Sequence, residues 1–513
     1  MDAGSTDLMS PVLVAVDIGT TATKAIVMDR RGRQLSSPSA SATYPLRVPE
    51  PGHAVQDPAE VLAAVATVVR EVVSGLGGRR VAGLSFSSAM HGLIGLTADG
   101  VPLTPLLTWA DTRATDQADR LRAGASGEGL HRRTGTPVHP MSPLVKLVWF
   151  HEFRPALCAR VHRWAGIKEY VLLHLTGAFV SDHSVASATG LLDSATLTWD
   201  TEALDVAGVR PEQLPELVPV TRVIPGLLPE AAERLRLPAA TPVVVGGSDG
   251  PLANLGVGAV RPGVAACSIG TSGALRVTLD RPVTDPSGGL FCYSLTRDRW
   301  VVGGAVNNGG VVLQWAGDAL APELGSGAVA ELAALAERAP AGSGGLLMLP
   351  YLLGERAPHW SALPRGAYVG LTRAHRRKHL VRAALEGVCL QLALVLGTMR
   401  AAGIEIDEIR ATGGFTRSPF WRQLLSDVLG TPVSFPTGHE GSGFGAGLVG
   451  LQALGMIPSV EVASDLVAIE SVAVPDPDAA AVYAALLPVF SDLYDALVPT
   501  YTELRRLAPL LGT

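Results

Sequence analysis

The chain has 513 residues, of which 47% are hydrophobic, 17% charged and 5% aromatic. At ~100–200 residues per domain this length exceeds a single core, and the apolar content excludes disorder. Forty-one basic and 47 acidic residues leave a net charge of −6 without a run of either sign, which argues against nucleic acid or an anionic membrane as partner.

In chain order, the first predicted element is a strand, residues 12–21 (VLVAVDIGTT), closing on Ile18-Gly19-Thr20-Thr21. A second strand, Lys24–Asp29, follows at once, so the pair reads as a hairpin whose turn displays glycine, hydroxyls and backbone amides. Asp57-Pro58-Ala59-Glu60 predicts an N-cap, a proline at the first helical position and a capping-box glutamate. A strand and loop run from Val81 to His91, and Val243–Gly250 (VVVGGSDG) is a strand entering a glycine-rich turn. The lobes are expected to meet near residues 250–260, rich in glycine and proline. Residues 264–272 (VAACSIGTS) then repeat the opening hairpin half a chain later, with Ala274–Leu279 as its second strand. Leu385, Val388, Leu392, Val395 and Met399 form an apolar helical stripe, and Ser418-Pro419 caps a helix that Gly430 ends. Two copies of one hairpin predict a duplicated α/β domain with facing turns across a cleft.

Some site types are absent from this pattern. Cys158, Cys267, Cys292 and Cys389 are scattered, without the spacing of a zinc site or a disulfide framework. Residues 1–11 lack a signal-peptide layout, and no stretch offers the ~18 uninterrupted apolar residues of a membrane span. A cytoplasmic enzyme is expected, with no membrane or nucleic-acid partner and with a homodimer left open. His375 and His379 have metal-ligand spacing but lie among Arg373, Arg376, Arg377 and Lys378, which reads as a solvated basic helix start.

Three constellations carry chemistry. The two Gly-Thr turns can cradle phosphate oxygens, and Asp17 beside the first is suited to Mg²⁺. Gly246–Gly250 fits a serine-hydrolase elbow on Ser248, with His359 or His439 as partner. It equally places Asp249 to take a proton from a substrate hydroxyl, and only that reading also uses the turns and Asp17. His91, Trp109, Asp111 and Arg113 together suggest a pocket for a polyol or sugar acid.

These residues resemble the FGGY family of carbohydrate kinases over roughly residues 12 to 500. The likeness rests on FSSAMHGLIGL (86–96), TWADTRA (108–114), GGSDGPLANLGVGA (246–259), VNNGGVVLQW (306–315), ERAPHW (355–360) and ATGGFTRSPFWRQLLSDVLG (411–430). The resemblance implies two actin-like, ribonuclease H-like domains, here residues 1–253 and 254–513, with ATP and sugar in the cleft between them. It also implies Asp249 as catalytic base and Asp17 at Mg²⁺. Thr20, Thr21, Lys24 and Thr271 would lie at the phosphates, Gly310 and Gln314 at the nucleotide, and Gly413, Gly414 and Ser418 at the adenosine. Met90, His91, Asp111, Arg113 and the His139–Met141 loop would face the sugar. Met90-His91 stands where glycerol kinases carry an Arg-Glu pair, which argues against glycerol. The segments are most like the gluconate branch, implying ATP-dependent phosphorylation of the terminal hydroxyl of D-gluconate to 6-phospho-D-gluconate, with xylulose kinases as runner-up. The glycine-rich run 440–447 departs from the family's Ala-Leu-Gly-Ala-Ala form, and its glycines cost helix stability.

Overall fold

A computed structural model describes residues 10–325, 327–437 and 441–511. The first lobe is built on Val12–Ile18 (β1), Ala22–Met28 (β2), Ala40–Thr43 (β3), Val81–Ser88 (β4), Val223–Ile224 (β5) and Val243–Ser248 (β6). Its sheet order is β5-β6-β4-β1-β2-β3. The β1/β2 and β2/β3 pairs are antiparallel, whereas β4 is parallel to both β1 and β6. Strand β1 is central and nearly all apolar because both its faces are covered. Pro58–Gly75 (α1), Pro143–Phe153 (α2) and Ile167–Thr176 (α3) belong to this half, and Asp249–Gly256 (α4) leaves it directly from β6. At the α1 start Asp57 accepts from the Ala59 amide, but Glu60 makes no capping box; it pairs with Arg47 at 2.6 Å instead.

The second lobe repeats the plan. Its strands are Gly263–Ile269 (β7), Gly273–Leu279 (β8), Phe291–Thr296 (β9), Arg299–Val306 (β10), Ile406–Thr412 (β11), Val433–Pro436 (β12) and Ile469–Ala473 (β13). They are ordered β9-β10-β8-β7-β11-β12-β13. Three antiparallel strands lead into two parallel ones in both sheets, so β3-β2-β1-β4-β6 superposes in topology on β10-β8-β7-β11-β12. The hairpin echo is therefore a true duplication: Gly19 N–H donates to Ala22 O in the first turn and Gly270 N–H to Ser272 O in the second. In this correspondence Ser268 of the second lobe stands where the first carries Asp17.

Helices Gly310–Leu320 (α5), Arg377–Ala401 (α6), Pro419–Leu429 (α7), Gly441–Ala453 (α8) and Pro477–Leu511 (α9) complete the second half. The stripe from Leu385 to Met399 is buried in α6, and Ser418 Oγ caps α7 by accepting from Trp421 N–H. Residues 377–401 and 477–507 both have the length and hydropathy of a membrane span. The first is the core helix of its lobe, and the second packs on α6 and α7, with Tyr483 and Phe490 buried in the same core.

Helix α8 joins the lobes. It follows β12 in the chain yet packs on the first sheet and on α4, and Ser85 Oγ donates to Ala446 O at 2.6 Å. Its glycines make the approach possible. A Cβ on Gly445 would stand 2.2 Å from Leu252 O, and one on Gly447 would stand 1.8 Å from Met28 Sδ. The helix cost of glycine read from the sequence is thus offset by closeness that no larger residue permits; Glu440 and His439 lie outside the described residues. Gly445→Ala should lower the Tm, with a loss of about 1–3 kcal/mol from overpacking against rigid backbone. Gly397→Ala, on the exposed side of α6 with nothing within 4 Å, should raise stability by ~0.5–1 kcal/mol. Thermal denaturation of the two variants checks the contrast.

Candidate active site between the lobes

A cleft of about 510 Å³ opens where the two hairpin turns face each other. Thr20, Met90, His91, Trp109, Met141 and Asp249 line it from the first half, and Ser268, Gly270, Arg276, Tyr293, Arg356 and Trp360 from the second. A larger cavity of about 1030 Å³ lies in the second lobe, bordered by Thr271, Gly310, Gln314, Gly414 and Ser418. The two cavities share Gly270, and adjacent Gly413 and Gly414 face one each. The α5 start is docked on this turn, with Gly310 N–H donating to Gly270 O at 2.6 Å.

Asp249 is the one carboxylate lining the cleft among the described residues. It begins α4 at the end of β6, and its Oδ1 accepts from Gly250 N–H at 2.7 Å. Burial pushes its pKa up to about 7, and the negative charge of Asp17 adds to the rise against the opposing pull of Gly250 N–H and Arg276. Asp17 sits at the end of β1, and Ser442 Oγ of α8 donates to its Oδ2 at 2.9 Å. Lys24 is its register partner across the hairpin and is exposed on the same face. Thr20 Oγ1 accepts from Trp109 Nε1 at 2.8 Å, which fixes the first turn against the Trp109 wall of the cleft. Thr21 is exposed at that turn and lines neither cavity.

His91 adopts a left-handed backbone, φ 65°, the kind of strain that functional loops hold. Lys146, fully buried on α2, keeps the loop in place by donating to His91 O and Thr108 O, both at 2.7 Å. Burial, then the charges of Lys146 and Arg356, lower the His91 pKa to about 3, so the ring is neutral. Its Nδ1 lies 2.7 Å from Ala188 O and must donate there, which leaves Nε2 an acceptor.

The structure places two residues of the expected sugar site, Asp111 and Arg113, outside the cleft lining. Asp111 is fully buried and takes both Arg113 Nε (2.8 Å) and a terminal Arg113 nitrogen (2.7 Å), while also accepting from Ala54 N–H. Arg113 then lies over the Trp149 ring, and neither residue lines the cleft. The buried pair is held by mutual charge and hydrogen bonds behind the cleft wall. The hydrolase reading also fails, because Ser248 is fully buried and hydrogen-bonded to Ser184 Oγ at 2.7 Å. His359 stacks on Tyr494, and His375 and His379 sit at the basic start of α6 as the sequence suggested. Sequence reasoning missed Arg276, Tyr293, Arg356 and Ser442 as cleft residues. Only Arg356 had a visible signal, a charged pair in the proline-bearing ERAPHW loop.

Residues 12–256 match the N-terminal domain of the FGGY family of carbohydrate kinases, and residues 265–454 match its C-terminal domain. The chain belongs to this family. A gluconokinase of Bacillus subtilis is 41% identical over 97% of this chain and 98% of its own length. A xylulose kinase of the same organism is 29% identical over 88% of this chain and 89% of its own. Among solved structures, a gluconate kinase from Lactobacillus acidophilus has a TM-score of 0.92 at 35% identity, covering 96% of this chain and 99% of that one. A ligand-bound xylulose kinase from the same species matches with the same values.

The raised pKa of Asp249 has a consequence for the stability of this kinase. A carboxyl with a folded-state pKa above its unfolded value stabilises the fold below the unfolded value, about 3.8, and loses that contribution as pH rises through about 7. Asp249→Asn should therefore be more stable than the parent at pH 8 and gain little at pH 4. At ~1.4 kcal/mol per unit the gain has a ceiling of ~4 kcal/mol, which cleft water lowers. Denaturation at the two pH values measures it.

Proposed function

We propose that this kinase transfers the γ-phosphoryl group of ATP to the terminal hydroxyl of D-gluconate, giving 6-phospho-D-gluconate and ADP. The observation that carries the reading is the position of Asp249, a lone cleft carboxylate beside the Gly270 turn where the sugar-sized and nucleotide-sized cavities meet. Phosphoryl transfer asks the protein for in-line placement and neutralised charge, not covalent chemistry. Asp249 accepts the hydroxyl proton, a role for which a pKa of about 7 is well matched. Thr271, Gly310, Gln314, Gly413, Gly414 and Ser418 hold the nucleotide, with Gly413 at the border between the two cavities. Met90, His91 and Met141 form the wall against which the sugar lies, with His91 Nε2 accepting from a sugar hydroxyl. Arg276 and Arg356 make the cleft cationic, which suits a sugar acid better than a ketose. The greater identity to gluconokinase than to xylulose kinase supports the same choice.

The donor set fits Mg²⁺. Among the described residues no three His, Cys, Asp or Glu side chains could cage an ion. Mg²⁺ instead takes one or two carboxylates with substrate phosphates and water. Asp17 would hold it, oriented by Ser442, with Thr20 and Lys24 nearby; the ion would supply neutralisation of phosphate charge. The four cysteines are free thiols, as suits a reducing cytoplasm where ATP is abundant.

An ADP-release assay should show kcat/KM for D-gluconate at least tenfold above that for D-xylulose; a ketose preference would replace the substrate assignment. Asp249→Ala should lose ~10²–10⁴ in kcat while still binding nucleotide. In the parent, kcat/KM should rise tenfold per pH unit below about 7 and level off above it, as the base must be ionised.

A further inference from the structure

Arg276 on β8 and Phe291 on β9 both pair with Gly303 of β10, the strand between them. Cross-strand partners share a face, so Arg276, Phe291 and, two residues on, Tyr293 rise from one floor of the cleft with no side chain from residue 303 dividing them. Tyr293 is fixed by stacking on Phe291 (centroids 4.4 Å apart, 5° between planes) and by an edge contact with His91 at 5.8 Å. Arg276 is held from behind: one terminal nitrogen donates to Gly250 O at 3.1 Å and the other to Ser268 Oγ at 3.3 Å.

These contacts leave two polar atoms unspent. Arg276 Nε and Tyr293 Oη are buried without a hydrogen-bond partner, and no other cleft-lining side chain carries such an atom among the described residues. Unsatisfied buried donors are rare and call for a partner. Both atoms donate, and burial drives the Tyr293 phenol well above its ordinary range, so it keeps its proton. Arg356 lies close enough to act electrostatically on both residues, adding a second positive charge. Two unspent donors on one cleft floor, one of them on a guanidinium and both near Arg356, suit a ligand with negative oxygen acceptors.

We propose that Arg276 and Tyr293 form the carboxylate subsite of the cleft, holding the acid end of the substrate while Asp249 addresses its far hydroxyl. The assignment rests on the gluconate reading above. Asp249 answers part of the Arg276 charge, and Arg356 adds a second positive charge; an uncharged sugar at this place would offer weaker acceptors to both donors, so the pair sets the preference for an acid over a polyol or ketose.

The test is steady-state kinetics of the full chain on D-gluconate, on D-glucitol, its uncharged counterpart, and on D-xylulose. Arg276→Met should raise the gluconate KM by ~10–100-fold, the loss expected for a hydrogen bond to a charged group. Its kcat should fall less than tenfold, and Arg276→Lys should recover part of the KM. Tyr293→Phe, which removes one oxygen and preserves the stack, should raise KM about tenfold, as for one lost charge-assisted bond. The gluconate-to-glucitol ratio of kcat/KM should collapse in Arg276→Met. A fall in kcat with KM unmoved would assign Arg276 to the transferring phosphoryl group instead. Equal losses on charged and uncharged substrates would show a structural role. Either result, from a parent active on gluconate, overturns the subsite alone. A parent that phosphorylates xylulose but not gluconate overturns the gluconate reading and the subsite together. Should Arg276→Met fail to fold, Tyr293→Phe and Arg276→Lys decide the matter by the same KM and kcat readings.

Discussion

The crossing of α8 over α4 and the first sheet is the constraint on which the active site depends. Gly256 faces Gly441, Gly445 faces Leu252, and Gly450 faces Ser85, each where a Cβ would come within 2.6 Å of its neighbour. Glycine here removes steric bulk, so a helix from the middle of the chain and one from its late part lie nearly backbone to backbone. Ser442, at the start of α8, thereby reaches Asp17 at the end of β1. The same crossing holds α4, whose first residue is Asp249. Two carboxylates more than 200 residues apart are brought within electrostatic range, and the raised pKa of Asp249 partly reflects that proximity.

Charge around the cleft divides into props and working groups. Lys146 spends its ammonium on two loop carbonyls, and Lys168 pairs with Asp182 at 2.5 Å while donating to Gly247 O, two residues before Asp249. Asp111 and Arg113 close on each other beneath the same loops. Buried ions of this kind are expensive to desolvate, and each is satisfied by hydrogen bonds that position backbone near the site. The groups left facing the cavity are fewer: Asp249, neutral His91, and two guanidiniums. That division leaves the cavity with one acidic group at one end and excess positive charge on its floor.

Chemical type and local order were legible along the chain because they depend on neighbours in sequence. The hairpin repeat, the Asp57 and Ser418 caps and the buried stripe of α6 all follow from strand alternation, side-chain capping and helical spacing, and all appear as read. Asp249 was singled out because a proton-accepting carboxylate after that strand, unlike a Ser248 nucleophile, also gave both Gly-Thr turns and Asp17 a use. Partnership was not legible. Arg113 and Arg276 are the same residue type, and each lies near a short polar segment. One closes on Asp111 two positions away, whereas the other points over a floor built by three strands whose register no local pattern specifies.

The sequence by itself determined a doubled domain and marked two Gly-Thr turns and two carboxylates, Asp17 and Asp249, as candidates, since repeats and turn chemistry survive without knowledge of packing. Tertiary structure alone decided which charges meet a ligand and which meet each other. It also turned the glycines of α8 from helix breakers into a contact surface. The physical reason is common to both. A buried group's role is set by what lies opposite it, and strand order and helix crossing, not neighbours in sequence, bring that opposite group there.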